Sequence, residues 1–170
     1  MLICRIKAAS AAVLFMAFGL AGCFQPLHGP QFGAIQPMLR AVEVTQMEGH
    51  FGHQLKSELD FLLNNGEPPA SPQYRLSTTP VGSSGSVIVN VDSGRPQMMT
   101  YATTANYTLV SIADGKVLSF GTARSNVSYD RDSQRFATTR AQRDAEIRAA
   151  KALAQEIRSR IVADLAKSRG

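Results

Sequence analysis

Residues 100–129 read TYATTANYTLVSIADGKVLSFGTARSNVSY, two long alternating segments around a central Asp114-Gly115. A period of two sends successive side chains to opposite faces of a strand, and Asp-Gly supplies the positive φ that a tight hairpin turn demands. The stretch therefore predicts one long antiparallel hairpin, Thr100 to Ile112 against Val117 to Tyr129. Alternation assigns Tyr101 and Tyr107 to sheet packing rather than to a contact surface.

Strand signals continue upstream. Tyr74, Leu76 and Thr78 alternate before Pro80, and Val87 to Val91 is a β-branched run. Gly82-Ser83-Ser84-Gly85 between them reads as a flexible turn, and Asp92 to Gln97, with Gly94 and Pro96, as a second loop. Leu39 to Thr45 also alternates and predicts a first strand. From His50 to Asn64 the period becomes helical, with Phe51, Leu55, Leu59 and Leu62 on one stripe. Asn64-Asn65-Gly66 suits the left-handed turn that ends many helices, and Pro68-Pro69 prevents resumption.

Beyond the hairpin the chain returns to helical period. Thr139-x-x-Gln142 fits a capping box, in which hydroxyl and amide satisfy otherwise orphaned N–H groups. Ile147, Ala150, Ala154, Ile157, Ile161 and Leu165 form the apolar stripe, while Arg143, Arg148, Arg158 and Arg160 share the remaining surface with Asp144, Glu146 and Glu156. An alternating sheet and two amphipathic helices each have one face to bury. The expected fold is an α+β two-layer sandwich: a mostly antiparallel sheet of about four strands, two helices on one face, in the order β-α-β-β-β-α.

The N-terminus has the three parts of a secretory signal. Arg5 and Lys7 supply positive charge, Ala8 to Leu20 form an uncharged apolar core, and Leu20, Ala21 and Gly22 lead into Cys23. That core is shorter than the ~20 residues a spanning helix needs. The Leu-Ala-Gly-Cys run resembles the bacterial lipobox, which implies cleavage before Cys23 and acylation of its thiol. Phe24 stands where an aspartate would signal inner-membrane retention, so the resemblance implies the inner leaflet of the outer membrane, facing the periplasm. One acyl chain at ~0.8 kcal/mol per buried methylene binds only marginally, and the three chains usual for such proteins make the anchor permanent. Residues 24–37, with three prolines and two glycines, read as a tether. The expected organisation is a signal over 1–22, a lipidated tether over 23–37, and one domain over 38–170.

Composition narrows the chemistry. Arg5 and Lys7 leave with the signal, so net charge falls from +5 to +3, which is not the balance of a nucleic-acid binder. Cys4 leaves too, and Cys23 alone supports neither an internal disulfide nor a cysteine metal site. His50 and His53 sit three apart without further histidines after them, so they read as surface residues rather than a metal pair. Gly-x-Ser-x-Gly is absent, and Gly82 to Gly85 lacks the lysine of a phosphate-binding loop. No cofactor beyond the covalent lipid and no enzymatic activity is expected.

Cys23-Phe24-Gln25-Pro26-Leu27-His28-Gly29 resembles the post-lipidation segment of alphaproteobacterial LPS-assembly lipoproteins of the LptE family, which often read Cys-Gly-Phe-Arg-Pro-Leu-Tyr-Gly. Here the glycine after the cysteine is absent, Gln25 replaces arginine and His28 replaces tyrosine. The element order, the long hairpin and the Ala/Arg-rich last helix are similar across 23–170. The resemblance implies a plug inside the lumen of the β-barrel LptD that assists barrel assembly and binds lipopolysaccharide. Its phosphates would call for cations, and Arg95, Lys116 and Arg124 are the candidates, Arg124 forming a second basic cluster with Arg131 and Arg135 near the end of the hairpin. Each also reads as a solvated surface charge. Rival classes are a regulator of cell-wall synthesis, an auxiliary subunit of a lipid transporter, or a small envelope hydrolase.

Overall fold

The computed structural model describes residues 30–89, 96–131 and 133–168. The elements are α1 (Pro30–Arg40), β1 (Val42–Val44), α2 (Gly49–Asn64), β2 (Tyr74–Val89), β3 (Pro96–Ser111), β4 (Val117–Asp130) and α3 (Arg135–Lys167). The four strands form one sheet in the order β1-β2-β3-β4. β1 runs parallel to β2, while β2, β3 and β4 form an antiparallel meander with Leu76 opposite Leu109 and Tyr107 opposite Gly121. From Ile35 onward the chain forms one packed unit.

The expected α+β sandwich is present, with a third helix added. Residues 30–37, expected as tether, are helical from Pro30, and the expected strand from Leu39 shrinks to Val42–Val44. Proline and glycine composition hides this helix, but Pro30 opens it at a position where a missing N–H costs nothing. Ile35 and Leu39, four apart, are buried in the core and hold it there.

β2 overturns a second expectation. Gly82 to Gly85 is not a turn; the strand runs straight through it, paired with β3 from Val81 opposite Thr104 to Gly85 opposite Thr100. The partner strand overrides local composition. Gly82 is needed because a Cβ there would lie 2.3 Å from the Tyr101 hydroxyl. Of the second expected loop, Pro96 and Gln97 already belong to β3, and Asn90 to Arg95 lie outside the described residues.

One sheet face packs on the helices. Tyr101, Thr103, Ala105, Tyr107 and Leu109 of β3 point inward and are buried, as alternation required. Leu55, Leu59 and Leu63 of α2 and Leu153, Ile157, Ile161 and Leu165 of α3 meet Ala105, Tyr107 and Leu109, while Tyr101 packs with Ala145 and Ala149 of α3. The stripe of α2 ends on Leu63, with Leu62 only half-buried beside it, and on α3 Leu153 is buried where Ile147 is half-buried. Asn65, at φ 59°, closes α2: its N–H donates to the Phe61 carbonyl and that of Gly66 to the Asp60 carbonyl. The capping box at Thr139 does not form. The helix starts a turn earlier, at Arg135, and the Thr139 hydroxyl donates back to the Arg135 carbonyl at 3.0 Å.

Candidate functional site

The outer sheet face carries no described helix. Its rows run Arg75–Val110–Val117, Ser77–Thr108–Phe120, Thr79–Asn106–Thr122 and Val81–Thr104–Arg124 across the three long strands. Half of these side chains are hydroxyls or amides, as expected of an alternating strand with one wet face. Against that background Phe120 stands out at 75 % exposed, with Val117 and Ile112 exposed beside it. Alternation puts Phe120 on the opposite phase from Ser119 and Ala123, so its outward position was readable; only its meaning was missed.

Two predicted cations flank this apolar strip. Lys116 sits at the β3–β4 turn, where Gly115 adopts φ +68° and the Lys116 carbonyl accepts from the Ser111 N–H at 2.9 Å. Asp114 shapes the same turn. Hydrogen bonds from the Ser111 side chain and the Lys116 backbone hold its carboxyl below the usual range. Arg124 lies on the outer face eight residues along β4, about 25 Å away at the rise of a strand. Neither forms an ion pair among the described residues. The strip therefore presents apolar surface between two solvated cations, which suits an amphiphile with anionic groups.

The other predicted cations fall elsewhere. Arg95 lies outside the described residues. Arg131 and Arg135 are exposed at the end where β4 gives way to α3, together with Phe136 at 88 % exposed. The second cluster is thus distinct from the Lys116 strip, and Arg124 belongs with the strip. Cys23 and the lipobox Leu20, Ala21 and Gly22 lie outside the described residues.

The histidines diverge. His50 Nδ1 lies 3.3 Å from Glu146 and His53 Nδ1 3.3 Å from the Gln46 amide. Among the described residues no three acidic, histidine or cysteine side chains converge on a metal position. A groove of about 520 Å³ along β1 is lined by Glu43, Thr45, Lys56, Asp60 and Arg75. Its charges satisfy one another, Lys56 with Asp60 at 2.6 Å and Arg75 with Glu43 at 3.3 Å, so it offers no uncompensated cation. No helix of the described residues is long and apolar enough to cross a membrane.

Comparison with known proteins gives the same architecture. The family model for LptE, lipopolysaccharide-assembly, matches residues 39–161. A candidate lipoprotein from Caulobacter crescentus, solved as a crystal structure, superposes with TM-score 0.66 at 22 % identity, covering 79 % of this chain and 97 % of that one. A minor lipoprotein from Acinetobacter baumannii gives TM-score 0.52 at 16 % identity, covering 72 % and 91 %. No curated protein matches. At these identities the two structures establish the fold alone.

Proposed function

Because the chain belongs to the LptE family of lipopolysaccharide-assembly proteins, we propose that it is a non-enzymatic outer-membrane lipoprotein that plugs the LptD barrel and assists its assembly and lipopolysaccharide delivery. The match over 39–161 carries this reading, since it takes in the whole sheet, α2 and most of α3. In it, the thiol of Cys23 bears the lipid that holds the domain at the inner leaflet, facing the periplasm. A lumen lined with polar side chains favours a plug whose open face is hydroxyl- and amide-rich, as the outer sheet face is. The strip of Phe120, Val117 and Ile112 between Lys116 and Arg124 is the best-supported place for lipopolysaccharide to touch. Acyl chains would lie on the apolar centre and phosphates at its two ends.

Two measurements test this. Tagged protein extracted from membranes in mild detergent should bring down a large β-barrel in near-equal amount; recovery of a penicillin-binding protein or an ABC transporter instead would sink the reading. Lys116→Glu with Arg124→Glu should weaken lipopolysaccharide capture about tenfold or more, since charge-assisted contacts are worth roughly 1.5–3 kcal/mol each. Unchanged capture removes the strip and leaves the barrel partnership standing.

A further inference from the structure

The sheet treats its two long edges in opposite ways. On β4 the outward carbonyls of Thr122 and Ser128 accept from Arg160 at 3.0 Å and Arg148 at 3.4 Å. The spacing suits this: twelve helical residues rise about 18 Å, and six strand residues about 20 Å. Among the described residues β2 has no such cover. β1 pairs with it only from Tyr74 to Leu76, and among the described residues no strand lies beside it further on.

Backbone bonds fix which groups of β2 face outward. The Tyr74 N–H and Leu76 carbonyl bond on the β1 side, at 3.2 and 3.0 Å, while the Gln73 carbonyl bonds on the β3 side. Register is unbroken from there to Ser86, so Thr78, Pro80, Gly82, Ser84 and Ser86 present their backbone to the open edge. Pro80 has no N–H to present, which explains why a proline is tolerated inside this strand. Val81 is 66 % exposed and Val87 58 %, and the residues between are exposed too. No charged residue occurs between Arg75 and Asp92. Protected edges are normally charged, covered or bulged; as far as Ser86, where the register first shifts, this stretch has a single proline.

We propose that the free protein forms a two-fold dimer by antiparallel pairing of its β2 edges from Gly82 to Ser86, with Ser84 opposite its own copy. Three features select a second copy as the occupant. The segment is uncharged and small, so pairing it with itself brings serine to serine without like-charge repulsion. A register centred on Ser84 sets Gly82 opposite Ser86 and leaves Pro80 outside, so each outward N–H in the segment meets a carbonyl. Closure is the third. A β2-to-β4 contact would be head-to-tail and grow without limit, and Arg148 and Arg160 block it; the β2-to-β2 contact closes at two copies. The dimer does not depend on the barrel reading and stands or falls separately from it.

The test is the protein mass of the full-length lipoprotein in mild detergent, measured by light scattering or sedimentation. The wild type should have the mass of two copies, and Ser84→Pro should halve it. The Ser84 N–H faces away from β3, so the substitution repeats what Pro80 already does, and an unchanged circular dichroism spectrum checks the fold. Ser84→Cys should give a disulfide-linked dimer on mild oxidation, because directly opposed strand residues fall within bridging distance. Ser77→Cys, outside the paired stretch, should not. A wild type of single-copy mass, or a dimer that survives Ser84→Pro, overturns the proposal.

Discussion

Gly82 and Tyr101 show how one residue settles another. The Tyr101 ring packs edge-on against Phe51, with centroids 5.6 Å apart, and its hydroxyl reaches over the strand at Gly82. Burial and the nearby Glu146 carboxylate push the phenol above its ordinary pKa, so it stays neutral where it sits. Any side chain at 82 has to displace a ring that is itself held. Gly82→Ala should therefore cost about 1–3 kcal/mol, the usual range for overpacking, read as a lower urea midpoint with unchanged slope. A midpoint within error of wild type would mean that Tyr101 swings away freely. The glycine was visible in the sequence, but its reason was not: Tyr101 lies nineteen residues away, and only the strand pairing of Ser83 with Ala102 and Ser84 with Tyr101 brings the two together.

Among the elements, α3 carries the most. Its inward face fills the core, its Asp164 accepts from Ser119 at 2.6 Å, and its arginines bind the β4 edge. Leu153→Ala should destabilise by about 2–5 kcal/mol, as large-to-small changes at fully buried sites do, whereas Phe136→Ser at the exposed start should change stability by under about 0.5 kcal/mol. Thermal unfolding of both variants checks the contrast; equal losses would mean that the first turns of α3 are packed. Replacing Arg148 and Arg160 together by alanine should unseal β4 and yield assemblies larger than two copies, seen as a broadened, faster-sedimenting species. A distribution identical to wild type would show that the arginines do not guard that edge. The long elements were legible because their periods persist: Tyr101, Tyr107 and Leu109 keep one phase, and Ala150 to Leu165 keep one stripe. Short or compositionally disguised elements were not. Nothing local separates Pro30–Arg40 from a tether, and Gly82–Gly85 is strand only because β3 lies beside it.

At the scale of the whole molecule, the sheet has two basic ends and one open face. The apolar strip between Lys116 and Arg124 lies on that face, the basic residues Arg131 and Arg135 lie where β4 gives way to α3, and residue type alone did not tell them apart. The pairing of Phe120 with Thr108 and Arg124 with Thr104 did. Cys23→Ala should abolish lipid labelling and normal signal cleavage in cells, followed by radiolabelled palmitate and electrophoretic mobility; acylation at another residue would contradict the lipobox resemblance. The sealing of β4 also bears on how the protein is made. Synthesis runs from the N-terminus, so all four strands exist once Asp130 has been added, while the helix that buries their inner face and guards β4 continues to Lys167. In that interval a nearly finished sheet stands with the outward carbonyls of β4 unsealed and the part of its inner face that the last helix covers still wet. That form is the one most prone to aggregate.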